Sequence, residues 1–78
     1  MTDQLSVLFA EGIGIDLGRI SEATSPENTS EWDSMAAMAL VSLIEDTFKV
    51  RLSTREIMKM RTVAMARTVL RAKGVQDI

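Results

Sequence analysis

Between residues 34 and 48 the apolar side chains return every three or four positions. Met35, Met38, Val41, Ile44 and Phe48 form the stripe, and Leu40 and Leu43 widen it. That spacing is the period of an α-helix. A helix with one apolar face must bury it against something. In a chain of 78 residues the partners have to be other short elements of the same chain, because a domain this small buries only about 60% of its unfolded surface. Such partners are visible. Residues 3–11 place Leu5, Leu8 and Phe9 on one face behind Thr2 or Asp3 as a cap, and Gly12 and Gly14 are expected to end that helix. Ser53-Thr54-Arg55-Glu56 fits a capping box opening a short helix through Ile57 and Met60. Thr62 caps a last helix with Val63, Ala66, Val69 and Leu70 inward, and Gly74 stops it. No run alternates long enough to be a strand. The expected fold is all-α: a small four-helix bundle of three longer helices and one short helix. A long loop, residues 12–33, separates helices one and two, with Ile13, Ile15, Leu17 and Ile20 expected to pin it to the core.

Composition narrows the chemistry. There are 0 Cys, 0 His and 0 Tyr, so no thiolate nucleophile and no imidazole base is available, and zinc sites built from Cys and His are excluded. No catalytic residue and no metal ligand set is expected, and a self-contained enzyme is not. Met1-Thr2-Asp3-Gln4 lacks the basic start of a signal peptide. No stretch approaches the roughly 20 apolar residues of a membrane span. The expectation is a cytoplasmic monomer that meets no membrane. The six Met residues are expected to pack in the core, and Trp32 to act as a hydrophobic staple before the helix.

The junction Glu31-Trp32-Asp33-Ser34-Met35 carries the site. Asp33 is a good N-cap, because its carboxylate can accept a hydrogen bond from an amide of the first turn. Ser34 then falls at the first helical position, on the surface, at the positive end of a helix dipole. A serine oxygen bearing a phosphate is stabilised there by the free amides and the dipole. The plainer reading is that Asp33 only caps and Ser34 only starts a helix. Asp33 and Ser34 are adjacent and point to different faces, so they are not a nucleophile–base pair.

Three segments together resemble the acyl carrier protein family. Ser25-Pro26-Glu27-Asn28-Thr29-Ser30-Glu31-Trp32-Asp33-Ser34-Met35 looks like the loop-to-motif segment of discrete bacterial acyl carrier proteins, with Asp-Ser-Met in place of Asp-Ser-Leu. Leu43-Ile44-Glu45-Asp46-Thr47-Phe48 resembles the Leu-x-Glu-Glu-x-Phe ending of the family's second helix, and Arg61-Thr62-Val63 resembles the Thr-Val that opens its last helix. The resemblance implies a single acyl-carrier-type domain over residues 1–78. It implies that a phosphopantetheinyl transferase joins 4′-phosphopantetheine, taken from coenzyme A, to Ser34 through a phosphodiester. Acyl-loading and acyl-processing enzymes then act on an acyl or aminoacyl thioester held on the arm.

The departures from the family bear on partners. Met35 replaces Leu at similar volume. Ala39 stands where carriers of fatty-acid synthesis often have Glu. Charge is divided unevenly: residues 1–33 hold seven acids and one base, residues 34–48 hold two acids, and residues 49–78 hold eight bases and two acids, for −2 overall. Such a pattern suggests a dedicated biosynthetic pathway, as for a polyketide or specialised metabolite, rather than general fatty-acid biosynthesis. The expected docking residues are Met35, Met38, Glu45, Asp46, Arg55 and Lys59, with Met38 shared with the core. Ala36, Ala37, Ala39 and Ser42 are expected to form a small-residue face. The alternative is a non-catalytic helical interaction module without a prosthetic group. A nucleic-acid partner is not expected: Arg67 and Arg71 lie one turn apart, but no aromatic interleaves the basic residues, so they read as a solvated face.

Overall fold

The computed structural model describes residues 3–78, so Met1 and Thr2, and with them the alternative cap Thr2, lie outside the described residues. Four helices follow in order: α1 (Gln4–Ile13), α2 (Ser34–Phe48), α3 (Thr54–Lys59) and α4 (Val63–Ala72). Among the described residues there is no strand. A 3-10 turn over Leu17–Arg19 interrupts the long loop.

Each helix starts where a side chain can take a first-turn amide. Asp3 accepts from the Ser6 amide, Asp33 from Ala36, Ser53 from Glu56 and Thr62 from Met65. At α3 the Glu56 carboxylate also accepts from the Ser53 amide at 2.8 Å, completing the capping box. The core is built on Leu5, Leu8 and Phe9 of α1, Leu40 and Ile44 of α2, and Val63, Ala66 and Leu70 of α4. Trp32 closes it from the loop, its ring 5.4 Å from Phe9 in an edge-to-face arrangement. Of the loop's apolar residues, Ile13, Ile15 and Ile20 reach the core, while Leu17 is exposed.

Helix α1 does not end at Gly12. It runs to Ile13, and Gly14 is the C-cap, with φ of 81° and its amide donating to the Ala10 carbonyl. Gly12 instead marks a close approach of α1 to α2. A Cβ there would lie 2.6 Å from Leu40 Cδ2 and 3.0 Å from Leu40 Cγ, and Leu40 is itself buried. Alanine gains about 1 kcal/mol of helix propensity over glycine, whereas overpacking costs about 1–3 kcal/mol. Gly12→Ala is therefore expected to destabilise by about 1 kcal/mol in urea unfolding. A variant as stable as the parent would show that Leu40 moves aside freely.

The methionine expectation fails. Met35, Met38, Met58 and Met65 are exposed, and Met60 is buried. On α2 the buried line is Ala36, Leu40 and Ile44, on nearly the opposite side of the helix from Met35 and Met38. Ala36 is thus core rather than part of an outward small-residue face, and Met38, at 73% exposure, shares nothing with the core.

Candidate functional site

The start of α2 is held by the long loop, and the loop is held by its own polar residues. Thr24, Ser25 and Thr29 are buried. The Ser25 amide and the Thr29 hydroxyl both donate to Asn28 Oδ1, at 3.0 and 2.8 Å, and Asn28 Nδ2 donates to the Ala23 carbonyl at 2.8 Å. These bonds satisfy polar groups that burial would otherwise leave costly. Arg19 makes two bonds to the Glu31 carboxylate, at 2.7 and 3.0 Å, and those bonds hold Glu31 down to about 2. The loop is also tied to the far end of the bundle. Its Thr24 and Glu22 carbonyls accept from the Val63 and Ala64 amides at 3.2 and 3.1 Å. With the Thr62 hydroxyl on the Met65 amide, the first turn of α4 is closed.

The first turn of α2 is not closed. Asp33 Oδ1 accepts from the Ala36 amide at 2.9 Å. Among the described residues, no protein group accepts from the amides of Ser34 and Met35. Two orphan donors and the positive end of a fifteen-residue helix therefore face outward beside the exposed Ser34 hydroxyl. An open groove of about 310 Å³ adjoins it, lined by Pro26, Trp32, Asp33, Ser34, Ala37 and Arg61. Under Trp32 lies a cavity of about 40 Å³ between Phe9, Leu40, Val41, Ile57 and Met60. That is enough room to admit water.

An exposed hydroxyl, two open amides and an adjoining groove thus meet at the start of α2. The sequence pattern of the phosphopantetheine attachment site family matches residues 3–67. The chain belongs to this family. No curated protein matches the chain closely enough to stand as a relative. The protein is thus a carrier whose cofactor is covalent 4′-phosphopantetheine. The start of α2 fits that group: the Ser34 hydroxyl is exposed, the neighbouring amides are free, and the adjoining groove is open.

On this carrier the other expected site residues separate into two kinds. Met35 and Met38 are 81% and 73% exposed on the face of α2 that also holds Ala39, Ser42 and Asp46. Arg55 and Lys59 are exposed on α3 one turn apart, with the 69%-exposed Met58 between them on the same face. An apolar groove of about 300 Å³, lined by Ala37, Met38, Val41, Ser42 and Ile57, runs between the two helices. Glu45 is placed differently. It is half-buried, and its carboxylate accepts from the Leu52 amide at 2.9 Å, fastening the α2–α3 connection.

One residue that bears on the groove, Arg61, was not expected there. Arg61 lines the groove beside Ser34 and pairs with Glu27. Burial raises the Glu27 carboxyl, and the hydrogen bond and charge of Arg61 more than reverse it, leaving it below the usual range. Arg67 is buried rather than part of a solvated face, and it pairs with Asp3 and Glu22. Arg71 donates to the Ile78 carbonyl. A phosphate-binding pair made of Arg67 and Arg71 is therefore not formed.

Proposed function

We propose that Ser34 carries the 4′-phosphopantetheine group and that residues 1–78 work as one carrier domain. The domain presents acyl or aminoacyl thioesters to enzymes of a dedicated biosynthetic pathway. The observation that supports Ser34 most is its exposed hydroxyl at the open first turn of α2, within the residues that the family pattern covers. When bound, the group supplies a terminal thiol on a long arm, the atom on which an acyl group is held. The chain's own residues hold its root. Asp33 sets where the helix begins, the Ser34 and Met35 amides face the phosphate, and Trp32 anchors the preceding turn in the core. Carrier domains of this family are generally not catalysts, and a chain with 0 Cys and 0 His has no thiolate or imidazole of its own. Incubation with coenzyme A and a broad-specificity phosphopantetheinyl transferase, followed by peptide mass spectrometry, tests the assignment. Modification at another residue, or none, overturns it.

The proposed docking surface consists of Met35, Met38 and Asp46 on α2 and Arg55 and Lys59 on α3, with Glu45 shaping the turn between them. Partners of fatty-acid carriers, as the resemblance implies, present basic groups to an acidic helix. Here such a partner meets one exposed acid, Asp46, and the unpaired cations Arg55 and Lys59. Like-charge contact slows encounter and spoils register. A partner suited to this surface brings apolar contacts to the two methionines and acidic groups to α3. Met35→Glu is expected to slow transfer to or from such a partner by about tenfold, roughly 1.4 kcal/mol, with a smaller effect on melting because the side chain is exposed. Arg55→Glu with Lys59→Glu is expected to change the ionic-strength dependence of that rate. Efficient service of a general fatty-acid synthase, unaffected by the α3 reversals, would overturn the charge argument.

A further inference from the structure

The groove beside Ser34 has one cationic wall. Arg61, from the turn between α3 and α4, lines it together with Ser34 and Ala37 of α2, the N-cap Asp33, and Pro26 and Trp32 of the loop. The other pairing cations are committed elsewhere. Arg19 is engaged by Glu31, Lys73 by Glu56, and Arg67 by Asp3 and Glu22. Arg55 and Lys59 lie on the docking face of α3 and do not line this groove.

Arg61 is held over the groove by a weak partner. Its side chain is 59% exposed and that of Glu27 is 61% exposed. An ion pair so open to water is worth about 0–1 kcal/mol, so a better-placed anion displaces it at little cost. A phosphodiester on Ser34 is such an anion. It carries a fixed negative charge and two free oxygens, and the guanidinium fork matches paired oxygens better than an ammonium does. The Asp33 carboxylate, in the same groove, adds a like charge beside the phosphate, which raises the value of a nearby cation. On α2 the groove lining offers Ser34 and Ala37 but no cation, so among the described residues Arg61 is the one cation along it.

We infer that Arg61 is the counter-ion of the Ser34 phosphodiester, and that modification moves its guanidinium from Glu27 to the phosphate. This rests on Ser34 being the attachment residue. Two consequences follow for the chain itself. Glu27 becomes a free carboxylate at the mouth of the groove once the arm is attached. The turn between α3 and α4 becomes linked to the first turn of α2 through the phosphate, so the modified form is bridged across the groove where the unmodified form is not.

The test compares unmodified and modified protein by NMR after mass spectrometry has located the group. The readouts are the Arg61 Nε–Hε resonance, the titration of the Glu27 carboxyl, and the phosphorus resonance of the arm. On modification the Arg61 resonance is expected to shift, and the Glu27 titration to move up toward the ordinary carboxylate range. In modified Arg61→Gln the phosphorus resonance is expected to differ from that of the modified parent. In modified Glu27→Gln the phosphorus resonance is expected to match the parent. Both side chains are exposed, so neither change is expected to disturb folding. Protein modified at Ser34 with Arg61 and Glu27 unchanged overturns this inference alone. Protein left unmodified at Ser34 overturns the attachment assignment and this inference with it.

Discussion

Ser34→Ala is expected to abolish attachment of phosphopantetheine and to leave the fold unchanged, with a melting temperature within about 3 °C of the parent. Both halves follow from the position of the residue. Ser34 is exposed and makes no bond that the bundle needs, since the helix is capped by Asp33 through the Ala36 amide. Removing one hydroxyl therefore removes the only atom through which the proposed phosphodiester can form and little else. Asp33→Ala is the informative contrast. It is expected to cost about 1 kcal/mol of stability through the lost cap and to slow attachment without abolishing it. Mass spectrometry after treatment with a transferase and coenzyme A reads the first effect, and thermal unfolding the second. Full modification of Ser34→Ala would move the site elsewhere. A large drop in its stability would show that the hydroxyl serves the fold.

Short-range signals in this sequence were legible and long-range ones were not. The bounds of α2 agree with the structure, because Asp33 is a strong local cap and the apolar spacing ends at Phe48. The α3 capping box and the Thr62 cap are equally local and equally visible. Periodicity on α2, however, has two candidate phases. The line of Met35 and Met38 and the line of Ala36, Leu40 and Ile44 lie on nearly opposite sides of the helix. Counting the methionines as core put Met38 partly inside, whereas α1 at Gly12 closes on Leu40 and Leu43. That misplaced burial had a functional side, because the exposed methionines are what a partner can meet. Gly12 was ambiguous for a related reason: a glycine near a helix end can be a cap or a contact. At the proposed site, the Asp33 cap and the exposed Ser34 at the helix start were readable from five contiguous residues. Arg61 was not, because its partner Glu27 is 34 positions away, and only the folded loop brings that cation to the groove.

Arg67 is the other residue whose role depends on distant partners, and replacing it is expected to give the largest loss of stability. Its side chain is 10% exposed and lies at the junction of α1, the loop and α4. Nη2 is 3.1 Å from Asp3 Oδ2 and 2.7 Å from Glu22 Oε2, while Nε donates to Glu22 Oε1 at 3.1 Å. The two carboxylates raise the Arg67 guanidinium further, the Glu22 hydrogen bond most of all and against the effect of burial. Breaking a buried ion pair typically costs about 3–5 kcal/mol. Here Asp3 and Glu22 are 33% and 57% exposed, so water can take over part of what Arg67 supplied. Arg67→Met keeps most of the packing volume, and its expected cost is about 2 kcal/mol, or roughly 8–16 °C in melting temperature. For a domain whose total stability is about 4–12 kcal/mol, that is a large fraction. Arg67→Lys keeps the charge but not the fork and is expected to fall between the two. The pH dependence separates charge from packing. The Asp3 carboxyl is lowered by the Ser6 amide first and by Arg67 as well. A depressed carboxylate contributes stability above the unfolded value, about 3.9, and loses it as pH falls through the folded value. The gap between parent and Arg67→Met is therefore expected to be widest near neutrality and to shrink as Asp3 protonates in acid. A gap that persists unchanged into acid would mean that Arg67 acts through the packing of its stem between α1 and α4. A gap under about 0.5 kcal/mol at neutral pH, the ordinary range for a surface substitution, would mean that the three groups do not form a clamp at all.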